Sequence, residues 1–170
     1  MGLPPGDFIV GYFGPPAMLR GLPTILRAIA LLPQTKPVTR TLVLCRDRDG
    51  QPRTEQNRVE DGMVRLGIDH RTHFFRGFLS RDDLRQAIAA CDAVALPFEI
   101  VPSDVPLSIL ETMALGLPLV TTDVACLPEL VPGGTGMVIP PGEPALLASA
   151  LHALTRDAAL REQLGAAARR

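Results

Sequence analysis

From end to end, short apolar runs alternate with longer stretches of helical periodicity, and this alternation limits the fold more than any other feature of the chain. Residues 8–13 (FIVGYF), 41–45 (TLVLC), 73–75 (HFF), 93–96 (AVAL), 117–121 (LPLVT) and 136–139 (GMVI) are too short for helices and read as strands. Residues 22–32, 54–66, 81–90 and 106–115 read as helices between them, and two more, 143–154 and 157–169, finish the chain. Strands that are apolar on both faces must be covered on both faces. Right-handed crossovers through the helices then give a mostly parallel sheet of about six strands. The expected architecture is a doubly wound, Rossmann-like α/β domain.

Local chemistry supports these boundaries. Pro23 falls in a first helical turn, where its missing N–H costs nothing, and Pro33 ends that helix. Gly67 and Gly116 stand where two other helices stop. Ser80 is placed to cap the helix at 81–90, with Asp82 and Asp83 in its positive first turn.

Composition excludes several alternatives. With 170 residues, 46% hydrophobic and 21% charged, the chain is a single ordinary globular domain with enough core to need no staples. A formal net charge of -1 argues against a domain whose task is to hold nucleic acid. No apolar stretch approaches the roughly 20 residues that span a bilayer. The first residues, MGLPPGDFIVGYFG, lack the basic-then-apolar order of a secretory signal. Cys45, Cys91 and Cys126 are odd in number, widely spaced and flanked by apolar residues, which reads as buried thiols in a reducing compartment. His70 and His73 lie at a loop-to-strand junction without further ligands nearby, so no metal site is expected.

Doubly wound sheets bind ligands beyond the carboxyl ends of their strands. The loops at 14–21, 46–53, 76–80, 97–105 and 122–126 are therefore the ones that matter. The first, GPPAMLRG, joins a strand to a helix and carries Arg20, whose planar fork suits phosphate oxygens. Gly11 and Gly14 would let a ligand approach the backbone. The dinucleotide fingerprint G-x-G-x-x-G is absent. The second informative stretch runs from 97 to 131. There Pro106 suits a first turn, Asp104 or Ser103 is placed to cap, and the N–H groups of Leu107 and Ser108, with the Ser108 hydroxyl, make a second phosphate cradle. Glu111 follows one turn later, either as a helix-terminal acid or as an acceptor for sugar hydroxyls.

Residues 107–122, LSILETMALGLPLVTT, resemble the signature of the retaining group 1 (family 4) glycosyltransferases of the GT-B type, P-S-x-x-E-G-F-G-L-x-x-L-E-A-M-A-x-G-x-P-V-V-A-T. The order of companion motifs is also similar: Arg20-Gly21 with the following Ile25, Leu26 and Ala28; Phe75-Arg-Gly77-Phe-Leu79; Leu127-Pro-Glu129-Leu-Val131; and GGTGMVIP at 133–140. The resemblance spans residues 8–168. It implies the donor-binding C-terminal domain of an enzyme that moves a sugar from a nucleoside-diphosphate sugar to an acceptor glycan or lipid with retention.

The resemblance also implies roles. Glu111, the second glutamate of E-x7-E, would hold the donor ribose, and Leu107 and Ser108 would meet its phosphates. Arg20 would neutralise the leaving diphosphate beside Gly14 and Gly21. Gly77 and Phe78 would lie at the nucleobase, with Arg46 facing it from the second strand. Arg20 and Glu111 are thus the catalytic candidates. No cofactor and no metal are expected, since the one D-x-D spacing, Asp47-Arg48-Asp49, lies in a hydrophilic loop. The chain departs from the pattern at Ser103, where the first glutamate belongs. Asp104 is the nearest carboxylate and Glu99 a more distant one, and Pro106 replaces a glycine.

Such enzymes resemble two facing Rossmann-like domains, so the expectation is a domain excised from a two-domain protein, inactive alone. Acceptor contacts would come from the other, N-terminal domain. The expected location is the cytoplasm, with any peripheral contact to the inner membrane made through that other domain. Two rival readings remain: a relic that binds nucleotide-sugar without transfer, and a nucleotide-sugar epimerase or dehydrogenase. The absent glycine fingerprint counts against the dehydrogenase.

Overall fold

The structure, a computed structural model, describes residues 4–15, 18–45, 54–101 and 105–170. Six strands form one all-parallel sheet: β1 (Phe8–Phe13), β2 (Thr39–Cys45), β3 (Thr72–Arg76), β4 (Ala93–Leu96), β5 (Leu119–Thr122) and β6 (Met137–Ile139). Their order across the sheet is β3-β2-β1-β4-β5-β6. The helices are α1 (Leu22–Leu31), α2 (Thr54–Arg65), α3 (Arg81–Ala89), α4 (Leu107–Ala114), α5 (Leu127–Leu130), α6 (Pro144–Arg156) and α7 (Ala158–Ala168). Short 3-10 turns cover Met18–Arg20 and Asp69–Arg71.

The order fixes where a ligand can go. From β1 the chain steps outward through β2 to β3, then returns to β4 and steps the other way to β6. Right-handed connections place α1 and α2 on one face and α4 on the other. Helix α6 packs on α1, and α7 packs on α4. The reversal of direction lies between β1 and β4, which pair directly through Val10↔Ala93 and Gly11↔Val94. The carboxyl ends of these two strands therefore define the crevice of the sheet.

The core follows the expected pattern. β1 is buried at every position, as are β4 and β5. Leu22, Ile25 and Ile29 of α1 and Leu147, Leu151 and Leu154 of α6 close one face, all inaccessible to solvent. Ser80 caps α3 by accepting the Asp83 N–H at 3.1 Å. Gly67 and Gly116 take positive φ at their helix ends. Asp157, the first residue of the predicted last helix, is instead its cap and accepts from the Leu160 N–H at 2.9 Å.

Several expectations are corrected. Gly11 does not serve a ligand: it is mid-strand, and a Cβ there would lie 2.8 Å from Cys91 Sγ, so the glycine makes room for the thiol. Helix α4 starts at Leu107, with Pro106 itself at the cap position (φ -68, ψ 112) and not in the first turn; Ser103 and Asp104, expected as caps, lie outside the described residues. β2 begins at Thr39 and β3 at Thr72, both polar positions that an apolar-run criterion passes over. β5 begins at Leu119 because Pro118 has no N–H to donate, although its carbonyl still accepts from Val94 at 2.9 Å. Cys45 and Cys91 are buried, but Cys126 is half-exposed at the head of α5, a single-turn helix absent from the sequence reading.

Candidate functional site

The loop after β1 and the loop after β4 are joined to one another at the crevice. The carbonyl of Leu19 accepts from the N–H of Glu99 at 2.9 Å and of Ile100 at 3.1 Å. Gly21 (φ +76) lies against the Pro97 backbone so closely that a Cβ would sit 1.8 Å from its carbonyl oxygen. The Thr24 hydroxyl, in the first turn of α1, donates to Glu99 Oε1 at 3.3 Å. Glu99, weighed in sequence as a remote replacement for the motif's first glutamate, is therefore tied to the start of α1.

This latch holds Arg20. Its guanidinium lies over the Phe98 ring, 5.7 Å from the centroid. A Cβ on Gly14 (φ +136) would stand 3.1 Å from Arg20 Nη1, so the bare glycine is what lets the arginine lie along the strand end. Gly14 N donates to Leu44 O at 3.1 Å, which fixes the loop to β2. The Tyr12 hydroxyl donates to Pro15 O at 2.6 Å and pins the loop from below. An arginine stacked on a ring keeps its N–H fork free for an incoming anion. Phe98 and Pro97 were missed by sequence reasoning. Their only signal was position, directly after an apolar strand.

Across the crevice, α4 begins on the segment that follows β4. The first N–H groups of any helix have no intrahelical acceptor. At α4 these belong to Leu107 and Ser108, and Pro106 contributes none. Leu107 is 71% exposed. Ser108 Oγ is buried and has no hydrogen-bond partner, which leaves a donor unused at the helix start. Glu111 is exposed on the next turn, while its carbonyl accepts from Leu115 at 3.2 Å. Behind the site, Thr122 Oγ1 donates to Phe98 O at 2.6 Å and Thr121 Oγ1 to Leu96 O at 2.9 Å. These bonds fix the strand end that carries Phe98.

Gly77 (φ +126) and Phe78 (74% exposed) follow β3, two strands from β1. With strands about 4.8 Å apart, the end of β3 lies roughly 14 Å from the end of β4. The candidates thus form a row along one edge of the sheet: Gly77 and Phe78, then Gly14, Arg20 and Gly21, then Ser108 and Glu111. Arg46, Ser103 and Asp104 lie outside the described residues. Among the described residues no group of three or more His, Cys, Asp and Glu could hold a metal ion. No described helix is long and apolar enough to cross a membrane.

A six-stranded parallel sheet in the order β3-β2-β1-β4-β5-β6, with helices on both faces, defines a Rossmann-like α/β domain. Comparison with known proteins narrows the class. The model of the group 1 glycosyl transferases matches residues 7–157. A D-inositol 3-phosphate glycosyltransferase of Corynebacterium diphtheriae is 29% identical over 171 residues, which covers 99% of this chain and 39% of the relative. Sucrose-phosphate synthase from Thermosynechococcus elongatus superposes with a TM-score of 0.87 at 26% identity, over 98% of this chain and 41% of that one. Anabaena HepE in complex with UDP-glucose superposes with a TM-score of 0.84 at 26% identity, over 96% and 43%. The chain belongs to the group 1 glycosyltransferases, and it spans about two fifths of the length of these relatives.

Proposed function

We propose that this chain is the donor-binding half of a glycosyltransferase that moves a sugar from a nucleoside-diphosphate sugar to an acceptor with retention of configuration. The observation that carries the reading is the latch at the crevice: Arg20 stacked on Phe98 beside Gly14, held by the bonds from Glu99 and Ile100 to Leu19. Support also comes from HepE in complex with UDP-glucose, 43% of which resembles 96% of this chain.

The chemistry follows from the placement. As the bond between sugar and diphosphate breaks, negative charge collects on the diphosphate. The Arg20 guanidinium and the N–H groups of Leu107 and Ser108 would face that charge, and the Ser108 hydroxyl would add a donor. Each such preorganised donor lowers a barrier by roughly 3 kcal/mol in comparable oxyanion sites. These groups supply charge stabilisation from the chain's own residues. Glu111 would accept from the ribose hydroxyls and Gly77 would admit the base, about 14 Å along the edge. Acceptor glycan or lipid would be held by the N-terminal half of a two-domain protein, so this chain alone would bind donor weakly and turn it over negligibly.

The test is calorimetric titration of the chain with UDP, GDP, ADP and NAD, repeated on Arg20→Ala and Glu111→Ala. The expected result is binding of one nucleoside diphosphate, weakened in both variants. Binding of NAD instead, or nucleotide binding indifferent to both substitutions, overturns the assignment. A two-domain protein that binds the nucleotide-sugar and never transfers it would favour the relic, a reading that Ser103 at the position of the first motif glutamate motivates.

A further inference from the structure

Away from the strand ends, on the face that α1 and α2 share, a groove of about 360 Å³ runs between these two helices. Pro23, Leu26, Val59, Gly62 and Leu66 line it, with Leu26 and Val59 buried. Three arginines stand around it: Arg27 from α1, and Arg58 and Arg65 from α2. A Cβ on Gly62 would meet Leu26 Cδ1 at 3.9 Å, an ordinary van der Waals contact. Arg58, Gly62 and Arg65 fall on one stripe of α2, and Arg27 faces them from the second turn of α1.

Three like charges around one small depression repel each other, and no acidic residue is among those that line it. The ion pairs of Arg40 with Asp7 and of His70 with Asp69 do not involve Arg27, Arg58 or Arg65. In a chain of net charge -1 this is a local excess of cations over an apolar floor. We propose that the groove is a ligand site for a small organic phosphate with an apolar body. The guanidinium forks would take the phosphate oxygens, and Leu26, Val59 and Pro23 would cover the body. A volume of about 360 Å³ suits a small molecule. A membrane surface fits less well, because the groove is concave and lies between two helices. The site lies on α1 itself, whose first residue follows Gly21, so an occupant would bear on the helix that carries the Arg20 loop. The inference does not depend on the donor reading.

The experiment is a titration of the isotope-labelled chain with 1-naphthyl phosphate, followed through the backbone amides. Inorganic phosphate and phosphatidylglycerol vesicles are the comparison arms. The expected result is a saturable shift at Leu26, Arg27, Arg58 and Gly62, with inorganic phosphate weaker by at least roughly tenfold because it lacks the apolar part. Arg27→Gln with Arg58→Gln, which removes both guanidinium charges and leaves the first three side-chain carbons in place, should weaken the aryl phosphate by about tenfold or more. Arg85→Gln, an exposed arginine on α3, should leave it unchanged. The proposal is overturned by shifts confined to Arg20 and Ser108, by shifts that survive the double substitution, by absence of any shift, or by response to vesicles alone.

Discussion

Gly21 and Pro97 occupy the same space but for one methyl group: a Cβ on Gly21 would lie 1.8 Å from the Pro97 carbonyl oxygen. Gly21 also holds φ +76, which an L side chain adopts only with strain. The contact brings the loops after β1 and β4 together, and with them Arg20 and Phe98. Gly21→Ala should therefore cost roughly 2–5 kcal/mol, the sum of a left-handed residue and an overpacked contact. Urea unfolding measures this. A variant of wild-type stability would mean that the two loops separate easily and do not form a rigid site.

Arg20 and Phe98 form the second testable pair, 5.7 Å from guanidinium to ring centroid. If the stacked guanidinium receives the diphosphate, Arg20→Lys should not rescue Arg20→Ala, because an ammonium neither stacks as a plane nor offers a fork. Both variants should lose roughly tenfold or more in nucleoside-diphosphate affinity, and Phe98→Leu about two- to fivefold, the range of an exposed cation–π contact. Full affinity in Arg20→Lys would show that charge alone matters there, not orientation.

Much of this was legible in the residues, and the gaps have physical causes. The β1 run FIVGYF and the β4 run AVAL are apolar throughout because parallel strands at the centre of a sheet are covered on both faces. Their alternation with helices was enough for the fold. The polar starts of β2 and β3, Thr39 and Thr72, were invisible because they are buried through backbone pairing and not through hydrophobicity. Within the candidate site, Arg20 and Gly14 stood out as a charge and a turn residue in one loop. Phe98 did not, because an aromatic residue after a strand looks like core until its partner is known, and that partner is 78 positions away in sequence. The cap at Pro106 was misread because a proline fits both the first turn and the cap position, and only its ψ of 112 distinguishes them.

Gly11 offers a cleaner test of packing than of function. Its absent Cβ is filled by the Cys91 thiol, which donates to Ala87 O at 3.4 Å and is pushed up to about 12 by burial and, secondarily, by Asp92. Gly11→Ala should cost roughly 1–3 kcal/mol by overpacking. Cys91→Ala removes the clashing sulfur, so the double variant should be more stable than the two single costs predict, by at least about 0.5 kcal/mol. Strict additivity in denaturant melts would disprove the contact. The same burial should leave Cys91 unmodified by iodoacetamide in the native state, since its thiolate is scarce and covered.

At the opposite end of the sheet, the starts of β1, β2 and β3 bring together Asp7, Arg40, Arg71 and His73. Arg40 Nε donates to Asp7 Oδ2 at 2.5 Å, and this bond, with the charge of Arg40, holds the Asp7 carboxyl below its ordinary 3.8 against the opposing effect of burial. Burial first, and the Arg40 charge second, hold His73 below its ordinary 6.5. Arg71, 1% exposed, donates to Thr39 O and Leu32 O, both at 3.1 Å, and so adds a cation to the same end. Both shifted groups bind fewer protons folded than unfolded, so both make stability fall as pH falls. The His73 contribution is complete above 6.5 and is lost as pH drops through its lower folded value; the Asp7 contribution is complete above 3.8 and is lost below that. Urea midpoints measured from about pH 8 to about pH 3 should therefore decline in two stages. His73→Gln should flatten the upper stage and Asp7→Asn the lower, and Asp7→Asn should also cost about 2 kcal/mol at neutral pH by leaving Arg40 without its carboxylate. A single decline confined to the carboxylate range in the wild-type chain would show that His73 titrates freely, and that the buried end of the sheet admits a proton without strain.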